Sequence, residues 1–70
     1  SLAVNERYEE VVAAIRSLDE KYSITLLYRF QKEMTVAEIA GLMGLSEKTV
    51  YTRIERGKKL LLDALEISKN

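Results

Sequence analysis

The chain has 70 residues, of which 47% are hydrophobic and 31% are charged, and its formal net charge is zero. It contains no proline, cysteine or histidine. The length allows one small domain, and the composition is typical of a compact all-α fold.

The absent residue types exclude several kinds of site. Without cysteine or histidine, the chain can neither form disulfides nor hold a metal through thiolate or imidazole ligands, and catalysis by these side chains is excluded. We therefore expect no cofactor, no metal and no small-molecule substrate. No apolar run approaches the roughly 20 residues of a membrane span, and a cysteine-free chain fits the cytoplasm.

The spacing of apolar residues predicts four helices joined by short turns. The first covers about residues 5–16, with an apolar face formed by Tyr8, Val11, Val12 and Ile15. This helix is expected to pack on the rest of the domain through that face.

The second helix is predicted to begin with a capping box, in which Ser17 and Glu20 satisfy free amides at the helix start. It is expected to end near residues 32–34. Its apolar positions are Ile24, Leu27, Tyr28 and Phe30.

The third helix is short, and both of its ends carry recognisable signals. Thr35 and Glu38 form a second capping-box pattern, and Gly44 provides a left-handed stop. Its buried stripe is predicted to be Val36, Ile39, Ala40 and Met43.

The fourth helix is predicted to begin after Ser46, whose hydroxyl can accept a hydrogen bond from an amide one turn further on. It extends to about Ile67, which would make it roughly 33 Å long. Its continuous inner face consists of Val50, Ile54, Gly57, Leu61 and Leu65. Leu60, Leu61 and Leu62 cannot all face one core, so one of them is expected to be exposed or covered by a partner.

The third and fourth helices fit a helix-turn-helix over about residues 35–58. Ala40 is small where two helices must cross closely, and Gly44 stands where the turn needs a positive φ. Leu45 is predicted to fill the corner. Val50 and Ile54 would hold the second helix against the first and leave its opposite face free.

The charge distribution favours contact with nucleic acid through that free face. Residues 46–59 carry five basic and two acidic residues, whereas residues 1–45 carry five basic and seven acidic residues. Glu47 and Glu55 are discordant, because a carboxylate near phosphates weakens binding unless it faces away, pairs with a cation or accepts from a cytosine amino group. The exposed polar set is Lys48, Thr49, Tyr51, Thr52, Arg53, Glu55, Arg56, Lys58 and Lys59.

Seven short segments combine into a longer pattern: Leu18–Asp19–Glu20, Leu26–Leu27–Tyr28–Arg29–Phe30, Glu38–Ile39–Ala40, Gly44–Leu45–Ser46, Thr49–Val50, Thr52–Arg53–Ile54 and Arg56–Gly57–Lys58. The run from Leu18 to Leu65 that contains them resembles the C-terminal conserved region of bacterial RNA polymerase sigma factors, most nearly the extracytoplasmic-function subgroup. Three positions depart from the family pattern. Asp19 replaces a proline, Gly57 replaces an alanine, and Glu55 is acidic where an aromatic or basic residue is common.

The resemblance implies an all-α domain of residues 1–70, excised from a longer sigma factor, that binds the −35 element of double-stranded promoter DNA. It also implies contact with the flap of the RNA polymerase core and, in many relatives, with an anti-sigma protein. The positions that match base-proximal contacts are Tyr51, Thr52, Glu55 and Arg56. Those nearer to phosphates are Ser46, Lys48, Thr49, Arg53, Lys58 and Lys59.

Three other interpretations stay open at this point. The SEKTV segment also resembles the LuxR-like effector domain of response regulators, although Arg53 stands where that family usually has histidine. A standalone phage-type regulator would be short as well. The domain could instead be an interaction module without DNA, using the apolar residues near Leu60 and Leu65. An enzyme is not expected, because the chain shows no nucleophile–base pair.

Overall fold

A computed structural model of the chain describes the backbone of residues 2–68 and the side chains of residues 6–67. The outermost residues of the predicted domain (1, 69 and 70) lie outside it. The described residues form α1 (Leu2–Arg16), α2 (Glu20–Leu26), a π-helical segment (Leu27–Gln31) that continues α2, α3 (Val36–Met43) and α4 (Glu47–Ser68). The predicted all-α class with four helices is therefore confirmed.

The core lies where α2, α3 and α4 meet. Leu26, Ile39 and Val50 are fully buried, at 0% exposure, and each comes from a different one of these helices. Ile15 from the end of α1 joins the same cluster. Burying side chains of this size stabilises the fold by roughly 1.5–3 kcal/mol each, so this contact region fixes how α4 is oriented.

The start of α2 differs from the prediction. Asp19 takes the N-cap position without a side-chain capping bond, and helix α2 begins at Glu20. The Ser17 hydroxyl instead donates to the Ala14 carbonyl at 2.6 Å. The predicted capping box of Ser17 and Glu20 is therefore wrong, because Ser17 closes the end of α1 and lies too early to reach the first amides of α2.

The apolar face of α2 also differs from the prediction. Its buried positions are Tyr22, Ser23, Thr25 and Leu26, while Phe30 is 50% exposed. The Lys32 amide bonds to the Leu27 carbonyl five residues back, at 3.1 Å. This wider turn rotates the following side chains away from the α-helical pattern, so the predicted continuation of the face to Phe30 is wrong.

A threonine is tolerated in the core because its hydroxyl bonds locally. Thr25 is fully buried. Its Oγ1 donates to the Lys21 carbonyl at 2.6 Å, within the same helix. A buried hydroxyl with such a partner avoids the cost of an unmade hydrogen bond.

Helix α1 packs less closely than its spacing predicts. Ile15 is buried, but Tyr8 is 56% and Val11 is 36% exposed. The Tyr8 hydroxyl accepts a hydrogen bond from Gln31 Nε2 at 3.2 Å. Tyr8 therefore lies at the edge of the domain and bonds to the end of the π-helical segment, and its predicted place on a packed face is wrong.

Helix α3 forms as predicted at both ends. The Glu38 amide donates to Thr35 Oγ1 at 3.1 Å, and the Thr35 amide donates to Glu38 Oε1 at 2.9 Å, which completes the capping box. Hydrogen bonding with Thr35 lowers the pKa of the Glu38 carboxyl. The bond from the Thr35 backbone has the larger effect, and the bond with the Thr35 hydroxyl has the smaller one. Gly44 ends the helix with φ 67° and ψ 35° in the left-handed region.

Candidate nucleic-acid interface

The turn between α3 and α4 is held by the backbone of its own residues. The amides of Gly44 and Leu45 both point to the Ala40 carbonyl, the second at 3.0 Å. Ala40 is buried in the core cluster, and Leu45 packs against that cluster from the turn. The small residue, the glycine and the leucine thus have the structural roles that the sequence predicted for a helix-turn-helix.

The first turn of α4 is capped by Ser46. Its hydroxyl oxygen accepts from the Thr49 amide at 3.1 Å and donates to Thr49 Oγ1 at 2.9 Å. The predicted cap is therefore confirmed. Both hydroxyls therefore lie at the N-terminal end of α4. Free backbone amides and the helix dipole at this end favour binding of an anion.

One face of helix α4 packs against the core, and the opposite face is exposed to solvent. Val50 and Ile54 are buried, and Tyr51, one residue past Val50, is 59% exposed. The four positions predicted to be base-proximal share one shallow surface with Lys59 and Leu60. These four are Tyr51, Thr52, Glu55 and Arg56.

A second depression lies beside the first, between α4 and the start of α2. Lys48, Thr49 and Arg53 of the predicted phosphate set line it together with Thr52 and Arg56. Lys21 and Tyr22 of α2 form its other wall. We call this depression the basic cleft, since four of its seven lining residues are lysine or arginine.

Lys21 is a member of the basic cleft that the sequence did not predict. Its Nζ lies 5.1 Å from the centre of the Tyr22 ring, and Tyr22 is itself buried. The periodicity of α4 carries no information about position 21. Only the packing of α2 on α4 brings this lysine beside Lys48 and Arg53.

Lys58 and Lys59, which also belong to the predicted phosphate set, lie in two different places. Lys59 lies on the side of the base-proximal residues. Lys58 Nζ is 3.1 Å from Glu55 Oε2, with both side chains about half exposed. The discordant Glu55 therefore pairs with a neighbouring cation, which is one of the arrangements expected from the sequence.

A corner of this kind, with a capped second helix that presents polar and basic side chains, defines the class of helix-turn-helix DNA-binding domains. The family model described as "Sigma-70, region 4" matches residues 8–61. The chain belongs to this family of sigma-factor domains. The match confirms the resemblance to the C-terminal conserved region of sigma factors and favours it over the LuxR-like alternative.

The other comparisons add no relative, since no curated protein and no solved structure matched the chain. Family membership gives the general activity, because region 4 domains bind promoter DNA in sigma factors and are regulatory rather than catalytic. Within the described part of the chain, no helix combines the length and the apolar character that crossing a bilayer requires.

Proposed function

We propose that this chain binds the −35 promoter element as the C-terminal domain of an extracytoplasmic-function-like sigma factor, and so directs RNA polymerase to its promoters. The observation that carries the proposal is the surface of α4. Its core-facing side holds Val50 and Ile54, and its opposite side presents hydrogen-bonding side chains flanked by the basic cleft.

The residues around the two depressions on α4 support separate roles in phosphate contact and in base readout. The residues from Tyr51 to Arg56 extend over about 8 Å of helix, the length of two to three base pairs. In the proposed orientation of α4 on DNA, the N-terminal half of the helix lies in the major groove. Four residues of the basic cleft (Lys21, Lys48, Thr49 and Arg53) then face one phosphate backbone and fix the position of the helix, while Tyr51, Thr52, Glu55 and Arg56 face base edges.

The partners follow from the same proposal. The chain acts within a longer sigma factor, and its protein partners are the RNA polymerase core, through the flap, and an anti-sigma protein. Leu62 is 64% exposed, as expected for one of the three consecutive leucines. It lies near Leu65 and Val11 in a depression between α1 and the end of α4, which shares no lining residue with the proposed DNA surface.

Two substitutions separate the proposed base readout from the proposed phosphate contact. Arg56→Ala removes a fork that matches the acceptors of guanine, and it should relax base preference at one or two positions at a cost of about 1–3 kcal/mol. Lys48→Ala removes a proposed phosphate contact, and it should weaken binding to all sequences alike. It should also reduce, by about one, the salt slope, which is the magnitude of the slope of log binding constant against log salt concentration.

Binding of a selected promoter fragment is measured by fluorescence anisotropy over a range of salt concentrations, with and without core polymerase. Lys32→Ala serves as the matched control, because this exposed lysine follows the π-helical segment and lines neither depression. If Arg56→Ala and Lys48→Ala both bind the fragment as tightly as the unmodified chain, the proposed orientation of α4 is wrong. Absence of DNA binding in every condition would favour the interaction module.

A further inference from the structure

We propose that Glu55 determines specificity by reading a cytosine in the bound DNA. This inference rests on the proposed function, since it requires α4 in the major groove. It starts from a feature that the proposed function leaves unexplained, namely a carboxylate on the surface that approaches a polyanion.

The position of Glu55 places its carboxylate toward the DNA in the proposed orientation. It lies one helical turn after Tyr51 and one turn before Lys59, and all three line the same surface with Thr52 and Arg56. The Glu55 side chain is 47% exposed. It therefore belongs to the middle of the proposed reading surface and not to its margin.

The chemistry of a carboxylate restricts which base it can bind. An ionised glutamate only accepts hydrogen bonds. In the major groove, guanine presents two acceptors and thymine presents an acceptor and a methyl group, so neither offers it a donor. Adenine has an amino group, but its acceptor N7 lies beside that group and repels a second oxygen. Cytosine offers its amino group without this neighbour, and it is the base that glutamate favours.

The ion pair with Lys58 prepares the carboxylate for this contact. Lys58 Nζ is 3.1 Å from Oε2, and a carboxylate has about four acceptor positions on its two oxygens. Acceptor capacity on Oε1 is therefore available for a base. The adjacent Lys58 ammonium also offsets the repulsion between the carboxylate and the DNA phosphates. This repulsion is largest where water is excluded. Lys58 is thus a positioning residue for Glu55.

Selection from a randomised duplex tests the inference. The 70-residue chain and its variants are taken, with and without core polymerase, through repeated rounds of enrichment at low salt, followed by sequencing of the bound DNA. Four variants are compared with the unmodified chain: Glu55→Gln, Glu55→Ala, Lys58→Gln and, as the matched control, Glu47→Gln. Glu47 is an exposed glutamate in the first turn of α4 and lines neither depression.

The unmodified chain should enrich a motif with one position at which cytosine is preferred on the order of ten-fold. Glu55→Gln should move the preference at that position to adenine, because glutamine bonds to the amino group and N7 of adenine together. Glu55→Ala should abolish the preference there and leave the other positions unchanged. Lys58→Gln should reduce the cytosine preference without changing the preferred base, and Glu47→Gln should reproduce the unmodified motif.

Two results overturn the inference, and they differ in what else they overturn. If the unmodified chain enriches a motif and both Glu55 variants enrich the same motif, Glu55 reads no base, while the proposed function stands. If the unmodified chain enriches no motif, the proposed function fails and this inference fails with it. Thermal unfolding of each variant verifies that an altered motif does not come from a loss of folding.

Discussion

Gly57 of α4 lies directly against the fully buried side chain of Leu26. A Cβ placed on residue 57 would be 3.1 Å from Leu26 Cδ1 and 3.2 Å from its Cγ, closer than ordinary van der Waals contact. The departure from the alanine of the family pattern thus has a packing reason, since the glycine makes room for the central leucine of α2.

Gly57→Ala should lower the free energy of unfolding by about 1 kcal/mol, although alanine is the better helix former. The gain in helix propensity is about 1 kcal/mol, and overpacking a closed core costs about 1–3 kcal/mol. Leu26→Val removes Cδ1, the atom nearest to the new Cβ, together with Cδ2. In urea unfolding of a double-mutant cycle, the combined variant should therefore be less destabilised than the sum of the two single changes. Strict additivity would show that the contact is not the cause.

Gly41 and Gly44 should respond to alanine in opposite directions. Gly41 is inside α3 and no atom of the described residues lies within 4 Å of its Cβ position, so Gly41→Ala should raise the free energy of unfolding by about 0.5–1 kcal/mol. Gly44 also has open space, but its φ is +67°. Gly44→Ala should lower the free energy of unfolding by about 1–2 kcal/mol. Chemical denaturation of both variants checks the contrast, and equal effects would contradict it.

The capping box should make stability depend on pH in the acid range. The Thr35 amide bond lowers the pKa of Glu38 in the folded state, so the contribution of the ionised carboxylate is complete above the ordinary glutamate pKa of about 4.3. It disappears as the pH falls through the lowered pKa. Glu38→Gln keeps a box residue but has no charge to lose. The difference in unfolding free energy between the two proteins should therefore shrink on acidification, and a constant difference would contradict the assignment.

Lys21→Ala should weaken binding to all DNA sequences and reduce the salt slope by about one, as expected for the loss of one phosphate contact. The reason is its place in the basic cleft beside Lys48 and Arg53. Anisotropy titrations at several salt concentrations measure the slope, with Lys32→Ala again as the control. A change in base preference without a change in slope would place Lys21 against a base edge instead.

Glu33 has φ 55°, the left-handed region, in the turn before α3. Asparagine adopts this conformation more readily than glutamate, and a β-branched residue adopts it least. Glu33→Asn should raise the free energy of unfolding by about 0.5 kcal/mol, whereas Glu33→Val should lower it by at least about 1 kcal/mol. The midpoint of thermal unfolding ranks the variants, and the reverse order would show that strain at position 33 is unimportant.

Local signals predicted the helix-turn-helix half of the domain well. The capping box at Thr35, the glycine stop at Gly44 and the cap at Ser46 each involve residues within four positions of one another. Their geometry is therefore encoded in a short stretch of sequence. The apolar spacing of α4 predicted its buried face through Val50 and Ile54 for the same reason.

The first half of the chain was predicted less well, because its structure depends on contacts that spacing does not reveal. The Ser17 hydroxyl could bond at the start of α2 or at the end of α1, and it donates a hydrogen bond to the Ala14 carbonyl at the end of α1. The burial of Thr25 depends on a bond within its own helix, which a count of apolar residues overlooks. Lys21 joins the basic cleft only through the packing of α2 on α4. The roles of the site residues on DNA stay predictions.

The π-helical segment has a consequence for chain length. Its five residues from Leu27 to Gln31 close with a bond between residues five positions apart, so the turn holds one residue more than an α-helical turn does. A relative that lacks one residue here can form an α turn, keep the helix before it and reach the same start of α3. An alignment of such relatives should therefore place a one-residue gap inside a helix, where gaps are normally penalised, and not in the loop that follows.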